Sequence, residues 1–407
     1  MNILLVSDVS IHDVIGGAER VLYEQSTRLA KKGHSVHILT RRLPQHKSDN
    51  ETIENVREWR FRVDQSNAMA FLISTLRCSR TLFESVNRHN LFDCINFHQP
   101  FSSLGVIRSS MSRKIKKIYT CHSLSHEEYQ SRNKILSGIV QKSLYQLNVQ
   151  GRKLIEKKVL DTSDRIIVLS RFTQDKLWNT YRIPPDRIVV IPGGVDLKRF
   201  YPVMNRLDIR RRLGIPCKSM VLLTVRNLVP RMGLENLIQA LKHVVEDLPD
   251  TLLIIGGSGP LKDTLVKYAQ TLGMQDHIRF AGFISGEDLP DYYRAADVFI
   301  LPTLELEGFG LVTLEALASG TPVLGTPVGG TKEILGRLDS RYLFRDTTPE
   351  AIAELIMETC LQFKDNPSLW QNLSSRCRKF VEAYYSWEEN VNTTEKLFLE
   401  ILSESQQ

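Results

Sequence analysis

Short runs rich in β-branched residues alternate with segments of helical periodicity along the whole chain, and this alternation limits the possible folds more than any single motif does. Strands separated by helices are typical of parallel sheets with crossover helices, so the sequence predicts the α/β class. The first series of predicted strands is 3–7, 36–40, 94–98, 117–121, 165–169 and 188–191. The second series is 220–225, 251–255, 278–280, 298–301 and 322–324. The predicted helices include 20–32, 234–245, 261–272 and 311–318.

The length of 407 residues is too great for one ordinary hydrophobic core and predicts two domains. The two series of strands separate near residues 195–205, where Gly193, Gly194 and Pro202 interrupt the pattern. An apolar content of 42% is typical of globular proteins, and no apolar run approaches the length of a membrane-spanning helix. The six cysteines are scattered without a C-x-x-C pair, and the N-terminus enters a strand directly. We therefore expect reduced thiols and a cytoplasmic location.

Residues 307–315 contain two carboxylates, Glu307 and Glu315, with glycines between them. Gly308 and Gly310 leave the backbone bare, so N–H groups can approach a ligand closely. The apolar run from Leu311 predicts a helix, whose N-terminal N–H groups favour phosphate or another polar oxygen. Both glutamates could then face one polyhydroxylated ligand. Taken alone, the spacing also fits a loop and a buried helix with two solvated glutamates, but the flanking glycines favour a ligand site.

Five glycine-containing or strand motifs follow one another along the chain: NILLVS at 2–7 with GGAER at 16–20, IPGGVD at 191–196 with FYP at 200–202, IGGSGP at 255–260, and EGFGLVTLE at 307–315 followed by SGTP at 319–322. In this order they resemble the motifs of the retaining glycosyltransferases of family 4, also called glycosyl transferases group 1. The resemblance implies the GT-B fold, in which two Rossmann-like domains with parallel sheets face each other across a cleft. It implies an acceptor-side domain at 1–198 and a nucleotide-sugar-binding domain at 199–385. A helix at about 386–407 would cross back onto the first domain.

The resemblance also implies residues that bind the donor diphosphate. Gly16 and Gly17 stand between a predicted strand and a predicted helix, where bare N–H groups favour phosphate, although a glycine pair alone also fits a tight turn. Arg226 ends a predicted strand and would bind the pyrophosphate. The family's lysine, six residues later, is replaced by Met232, and the adjacent Arg231 is the remaining cation. This departure favours weakened catalysis.

Two residues are the catalytic candidates by the same resemblance. Glu307 would hold hydroxyls of the transferred hexose, together with the N–H groups of Phe309 and Gly310. His122 ends a predicted strand and would contact the donor sugar or its phosphate, and His98 is a weaker candidate of the same kind. A lone histidine at a strand end is equally compatible with a structural role.

The remaining donor contacts implied by the resemblance involve the nucleoside. Glu315 would bind the ribose, and the backbone near Phe283 and Ile284 would contact the base. Gly308 and Leu311 complete the donor-binding loop and the start of its helix. The family is metal-independent, and the chain contains no D-x-D pair, so we expect no metal and no cofactor. The nucleotide sugar would be a co-substrate.

The sequence therefore predicts a retaining hexosyltransferase that moves a sugar from a UDP- or GDP-linked donor to a glycan, lipid-linked or small-molecule acceptor. The alternative, favoured by Met232, is a catalytically weakened relative that binds nucleotide sugar or supports a partner transferase. A phosphorylase or epimerase of the same fold is a third possibility, but no cofactor-binding lysine is evident.

Residues 101–160 have a net charge of +9, although the whole chain has a formal charge of only +7. Their basic residues are Arg108, Arg113, Lys114, Lys116, Lys117, Arg132, Lys134, Lys142, Arg152, Lys153, Lys157 and Lys158. Solvated helix faces would explain this segment, and so would a surface that attracts anionic lipid or an anionic acceptor. No nucleic-acid recognition motif accompanies the charge, so we expect no nucleic-acid partner. A peripheral contact with the inner face of the membrane is the further expectation.

Overall fold

The structure is a computed structural model that describes residues 1–12, 16–133 and 138–404. Its strands are β1 (Asn2–Val6), β2 (Ser35–Arg41), β3 (Asn50–Ile53), β4 (Val56–Phe61), β5 (Cys94–Phe97), β6 (Lys116–Cys121), β7 (Arg165–Val168), β8 (Ile188–Val190), β9 (Met220–Val225), β10 (Thr251–Gly256), β11 (Ile278–Gly282), β12 (Val298–Leu301) and β13 (Val323–Gly325). Its α-helices are α1 (Gly17–Lys31), α2 (Ala68–Asn90), α3 (Pro100–Ile107), α4 (Ser125–Arg132), α5 (Ile139–Thr162), α6 (Arg171–Tyr181), α7 (Arg206–Arg212), α8 (Leu234–Asp247), α9 (Lys262–Thr271), α10 (Leu289–Ala295), α11 (Leu311–Ala318), α12 (Gly329–Asp339), α13 (Pro349–Asp365), α14 (Pro367–Tyr384) and α15 (Trp387–Ser403).

The chain divides into two compact units, each built around its own sheet. The first unit is Met1–Gly193 with Trp387–Gln407, and the second unit is Gly194–Ser386. The sequence placed this division at 198/199. The α/β prediction is confirmed, because helices alternate with parallel strands in both units.

The first sheet has the strand order β3-β4-β2-β1-β5-β6-β7-β8. Its strands pair in parallel except β3, which is antiparallel to β4; neither of these two strands was among the predicted ones. The β3–β4 hairpin was missed because charged side chains occupy its inward positions. Glu58 is fully buried, and its carboxylate accepts hydrogen bonds from Arg60 Nε at 2.6 Å and Ser10 Oγ at 2.7 Å. A buried ion pair removes the alternating apolar pattern by which a strand is recognised.

The C-terminal helix α15 belongs to the first unit. Its apolar face contributes Phe398 and Ile401 to the core that also contains Leu22 and Leu29 of α1. Polar contacts join α15 to α1 and to the turn after it: Gln25 Nε2 donates to Asn390 Oδ1 at 3.1 Å, and His34 Nε2 lies 2.6 Å from a carboxylate oxygen of Glu395. Burial of this amphipathic face holds the end of the chain against its beginning.

Both sheets have the topology that creates a ligand site at one edge. In the first sheet β1 lies between β2 and β5, and in the second, of order β11-β10-β9-β12-β13, β9 lies between β10 and β12. After β1 and after β9 the chain adds the next strands on one side of that strand, and it later returns to add strands on the other side. Ligands of open α/β sheets bind at the carboxyl ends of strands at such a reversal. The topology therefore predicts that the residues after β1, β5, β9 and β12 contact ligands.

Candidate active site

The loops that follow β9 and β12 are joined by a buried arginine–carboxylate pair. The guanidinium of Arg226 donates to the carboxylate of Glu307 and to Thr303 Oγ1, the latter at 3.0 Å. Thr303 Oγ1 also lies 3.3 Å from the Glu307 carboxylate. The side chains of Arg226 and Glu307 are only 6% and 12% exposed, so their charges attract each other with little screening. The cation predicted for the pyrophosphate and the carboxylate predicted for the sugar are thus in direct contact.

Met232 is the other neighbour of that arginine. It ends a short 3-10 turn, Pro230–Met232, and is 5% exposed. Its sulfur lies 2.9 Å from Arg226 Nη2 and accepts a hydrogen bond from it. A thioether is a weak acceptor without charge, so this position supplies no second cation. Arg231 contacts the backbone of the opposite loop, since its Nη1 donates to the Leu306 carbonyl at 3.0 Å. Its role in donor binding stays a prediction.

The helix α11 begins at Leu311 as the sequence predicts. Gly310 precedes it with a φ of +91°, which favours glycine, and it caps this end of the helix with no side chain of its own. A Cβ at Gly310 would lie 2.9 Å from Thr331 Oγ1 and 3.2 Å from Thr313 Oγ1. Both hydroxyls are buried and have no hydrogen-bond partner in the described part of the chain. The helix N-terminus and two unpaired hydroxyls thus gather around one glycine, next to Glu307.

Close backbone packing shapes the Glu307–Gly310 loop. A Cβ at Gly329, at the start of α12, would stand 1.9 Å from the Glu307 carbonyl oxygen, and one at Gly330 would stand 2.5 Å from Phe309 Cα. The N–H of Gly330 donates to that Glu307 carbonyl at 2.9 Å. Phe309 is buried, with its ring centroid 6.1 Å from that of Tyr385. Gly308 lies between Glu307 and Phe309, whose backbones both pack closely against the start of α12. The loop is therefore fixed before any ligand arrives.

Glu315, the predicted ribose ligand, is held by a residue that the sequence did not indicate. The hydroxyl of Tyr293 donates to its carboxylate at 2.9 Å. Tyr293 is fully buried, and burial followed by the Glu315 charge raises the pKa of its hydroxyl well above the usual value. The tyrosine therefore stays a hydrogen-bond donor that orients the carboxylate. It lies on α10, where no sequence motif marks it.

Phe283 and Ile284 follow β11 and differ in environment. Phe283 is 64% exposed, so its ring is accessible at the sheet edge. Ile284 is buried against Gly256, where a Cβ would stand 2.4 Å from Ile284 Cδ1. The isoleucine packs against the end of β10, while the phenylalanine presents an apolar surface of the kind that a nucleoside base contacts.

The second glycine motif, at 255–260, has a structural explanation. A Cβ at Gly257 would stand 1.8 Å from the carbonyl oxygen of Arg226, and Gly257 has a φ of +123°. Backbone bonds complete the contact, since Leu228 N–H donates to the Ser258 carbonyl at 2.9 Å. These glycines let two loops touch and so position Arg226.

The start of α1 holds a carboxylate of its own. A Cβ at Gly16 would stand 2.5 Å from Glu19 Oε2, and the backbone N–H groups of Gly16 and Glu19 both hydrogen-bond to that carboxylate. Burial raises the pKa of Glu19, and these bonds oppose the rise. Phosphate binding by Gly16 and Gly17 stays a prediction, and it requires the Glu19 side chain to move.

His122 and His98 are coupled in the first unit. His98 Nδ1 lies 3.1 Å from His122 Nε2, and His98 Nε2 lies 3.2 Å from Asn96 Nδ2. Thr120 Oγ1 donates to Asn96 Oδ1 at 3.0 Å, which directs the amide N–H toward His98. His98 Nε2 is then an acceptor, its Nδ1–H donates to His122, and His122 carries its proton on Nδ1.

The chain of hydrogen bonds ends at His122 Nδ1–H. That atom is buried and has no partner among the described residues. Burial lowers the pKa of His122 to about 4, so the ring is neutral near pH 7. His122 thus offers one fixed N–H donor to a ligand, and His98, buried with its pKa lowered well below the usual value, sets the tautomer.

The described residues contain neither a cluster of metal-ligating side chains nor a membrane-spanning helix. No group of three or more histidine, cysteine, aspartate or glutamate side chains is placed to hold a metal ion within residues 1–12, 16–133 and 138–404. In the same ranges, no helix is long and apolar enough to cross a membrane. The expected independence of metal and cofactor stays a prediction.

Comparisons with known proteins agree with this geometry. The family profile described as Glycosyltransferase Family 4 matches residues 15–199, and the one described as Glycosyl transferases group 1 matches 205–378. A D-inositol 3-phosphate glycosyltransferase of Streptomyces scabiei is 29% identical over 257 residues, which cover 61% of this chain and 56% of that protein. The mannosylfructose-phosphate synthase of Agrobacterium fabrum is 29% identical over 344 residues, covering 79% and 74%.

A solved structure is similar over almost all of the chain. Sucrose-phosphate synthase from Thermosynechococcus elongatus has 25% sequence identity and a TM-score of 0.80, with 99% of each chain covered. The chain spans little more than half the length of the first curated relatives that it matches. The predicted GT-B class is confirmed by this structural similarity. The two profiles adjoin and account for both units, so the chain belongs to the family 4 glycosyltransferases, the glycosyl transferases group 1.

Proposed function

We propose that this protein transfers a hexosyl unit, with retention of configuration, from a UDP- or GDP-linked sugar to an acceptor. The observation that carries the proposal is the preformed cluster after β9 and β12. There the Arg226–Glu307 pair adjoins Gly310, the start of α11 and two unpaired hydroxyls. Such a site can hold sugar hydroxyls on a carboxylate and an oxyanion on fixed N–H groups and a guanidinium.

Each residue has a role in this proposal. Glu307 accepts hydrogen bonds from hydroxyls of the transferred sugar, and the N–H groups of Phe309 and Gly310 assist. Arg226 and the start of α11 stabilise negative charge as the nucleoside diphosphate leaves, and fixed dipoles of this kind supply much of the rate enhancement of many enzymes. Glu315, oriented by Tyr293, binds the ribose. His122 offers its Nδ1–H to the donor sugar or its phosphate, and neither metal nor cofactor takes part.

A second candidate function is favoured by one observation. Arg226 is already neutralised by Glu307, and Met232 adds no charge beside it. A weakened relative that binds nucleotide sugar, or that supports a partner transferase, would have such a site.

Calorimetry and a transfer assay separate the candidates. We expect UDP or GDP to bind, a sugar nucleotide to be consumed, and Arg226→Ala to weaken diphosphate binding at least tenfold, as loss of a charge-assisted hydrogen bond implies. Arg345→Ala, at an exposed arginine of the second unit, is the control. Binding without transfer or donor hydrolysis for any donor would support the second candidate. Absence of binding to every nucleoside diphosphate would contradict both the transferase and a relative that binds nucleotide sugar.

The acceptor class is a glycan, a lipid-linked sugar or a small molecule. The names of the three reported relatives all contain a phosphorylated compound: inositol 3-phosphate, mannosylfructose phosphate and sucrose phosphate. Those names support a small phosphorylated molecule among the acceptors of this chain.

The proposal also includes a membrane contact, which α5 would make. Its exposed apolar residues recur at helical spacing and form one stripe: Ile139 (86% exposed), Val140 (72%), Leu144 (56%), Leu147 (67%) and Leu154 (69%). Lys142 and Lys158 lie exposed on the same helix. An exposed apolar stripe with basic flanks is typical of helices that lie in the interface of an anionic bilayer. We therefore propose that the protein is cytoplasmic and binds the inner face of the membrane through α5.

The structure changes which basic residues can take part. Lys117 is buried in β6, and its Nζ donates to the Ile115 carbonyl at 2.7 Å. Lys116 lies 3.7 Å from Asp164, and Arg152 stacks on aromatic rings. Lys134 lies outside the described residues. The segment 101–160 is thus no single basic face. Of Lys114, Lys116 and Lys117 only Lys114 is exposed, so reversal of all three charges would disturb β6 as well as the surface.

Vesicle co-sedimentation tests the contact. We expect binding to vesicles that contain anionic lipid, loss of binding in Leu144→Ser/Leu147→Ser, and release of Lys142→Glu/Lys158→Glu at lower salt than wild type. Leu399→Ser, at an exposed leucine of α15, is the matched control. If the serine variant binds as wild type does, or if α5 only drives self-association in solution, the membrane contact is wrong.

A further inference from the structure

Two arginines and one aspartate meet at the carboxyl edge of the first sheet, outside the residues assigned above. Asp8 follows β1, and Arg41 is the last residue of β2. Arg152 reaches the same region from α5, with its guanidinium carbon 4.9 Å from the Phe101 ring centroid and 4.6 Å from that of Tyr129. Phe101 stands on the helix that follows β5, so the group surrounds the reversal point between β1 and β5.

Neither guanidinium is paired with a carboxylate of the described residues. The Nε atoms of Arg41 and Arg152 are buried without a hydrogen bond, and neither side chain forms an ion pair with any residue that the structure describes. Arg41 and Arg152 are half-buried, whereas the more deeply buried Arg60 and Arg210 are paired, Arg60 with Glu58 and Arg210 with Asp297 at 2.7 Å. Partial burial of a charged group without a counter-ion is costly, so two half-buried guanidinium groups whose charges both act on Asp8 favour an oxyanion ligand.

The nearby carboxylates, Asp8 and Glu128, do not form ion pairs with the two arginines. Asp8 accepts a hydrogen bond from the Ser102 N–H at 3.3 Å, and both arginines are close enough for their charges to act on its carboxyl group. It forms an ion pair with neither. Glu128 is occupied by Ser123 Oγ at 2.7 Å and by Arg132 at 3.4 Å. Two cations and one anion leave the cluster with an excess positive charge.

We propose that Arg41 and Arg152 form an oxyanion subsite that binds the phosphoryl group of a phosphorylated acceptor. Guanidinium groups present N–H donors in a planar fork that matches phosphate oxygens, and Phe101 and Tyr129 hold one fork in place by cation–π contact. The subsite rests on the proposed function, because it selects the acceptor of that reaction. It narrows the acceptor to small sugar or polyol phosphates, in which one end carries the phosphate and the other the accepting hydroxyl.

Binding measurements on the full chain test the subsite, with inorganic phosphate, hexose 6-phosphates, the matching free hexoses and hexuronic acids as probes. We expect a hexose phosphate to bind more tightly than its free hexose. Arg41→Gln and Arg152→Gln should each weaken that binding about ten- to hundredfold, as loss of a charge-assisted hydrogen bond implies. Arg108→Gln, at an exposed arginine of the same unit, is the matched control and should leave it unchanged.

Asp8→Asn separates binding from a structural role. It removes the negative charge that competes for the two arginines, so hexose phosphate affinity should rise, whereas a purely structural cluster would lose stability and gain no affinity. Arg152→Lys keeps the charge without the fork and should recover part of the affinity lost in Arg152→Gln.

Nucleoside diphosphate binding is measured on the same variants and should not change, so failure of the donor site is recognised separately. Equal affinity for hexose and hexose phosphate would overturn the subsite. Tighter binding of hexuronic acids than of hexose phosphates would show that the subsite binds a carboxylate, and would overturn its assignment to a phosphoryl group.

Discussion

Removal of the Glu307 carboxylate should destabilise the second unit as well as stop transfer. Arg226 is 6% exposed and depends on that carboxylate for its neutralisation. In Glu307→Ala the guanidinium keeps only Thr303 Oγ1 and the Met232 sulfur among its described partners. An arginine left buried without its anion typically costs about 3–5 kcal/mol. A carboxylate that contacted only the donor sugar could be removed without loss of stability, and the pairing with Arg226 contradicts that simpler expectation.

The size of the effect in a melting experiment follows from the size of the unit. For folding units of 150–250 residues, 1 kcal/mol shifts Tm by about 2–4 °C, so we expect Glu307→Ala to lower Tm by about 6–20 °C. Glu307→Gln retains an acceptor at the same place and should lose less. Glu305→Ala, at an exposed glutamate in the same loop, is the matched control and should melt like the wild type.

A double-mutant cycle makes the test specific to the pair. Replacing both partners by apolar residues of similar size, as in Arg226→Met/Glu307→Leu, removes the unpaired charge and should cost less than the two single changes added together. Thermal unfolding measures stability, and nucleotide-sugar consumption measures transfer. A Glu307→Ala protein that melts within about 1 °C of wild type, or that keeps half of the wild-type turnover, would refute the reasoning.

Three further outcomes are expected. Met232→Lys should raise nucleoside diphosphate affinity about tenfold over Met232→Leu in calorimetry, because it adds a cation beside the diphosphate site; no gain would show that the diphosphate binds elsewhere. Gly257→Ala should destabilise the protein far more than Gly273→Ala, because a Cβ at Gly257 would stand 1.8 Å from the Arg226 carbonyl oxygen. At Gly273 a Cβ meets no atom within 4 Å, and the φ of +71° alone costs about 1–2 kcal/mol. Equal denaturant midpoints for the two variants would contradict this prediction. The pKa of His122 falls from 6.5 to about 4 on folding, so stability should fall as pH drops from about 6.5 to about 4. His122→Asn should make that fall smaller, while His89→Gln should not.

Much of the fold follows from local pattern. The strands Met220–Val225 and Val298–Leu301 and the helix Leu311–Ala318 occur with the predicted bounds. Their signals are short buried runs and a helical apolar repeat that begins after a glycine, and these depend on neighbouring residues only. The β3–β4 hairpin gave no such signal, because Glu58 and Arg60 point inward as an ion pair. Contacts of Glu58 with the loop after β1 and of Arg60 with Glu51 of β3 stabilise those charges in the interior.

In the candidate active site, too, some features follow from local sequence and others only from tertiary contacts. The glycines, Glu307, Glu315, Arg226 and His122 are visible in the sequence, because bare backbone and charged side chains at strand ends are local features. The pairing of Arg226 with Glu307 and the orientation of Glu315 by Tyr293 join residues 81 and 22 positions apart. Which charges meet, and which arginines stay unpaired, is decided by the crossover topology of each sheet. The sequence determined where polar groups end each strand, and tertiary packing decided which of them neutralise one another, because charge pairing depends on distance in space.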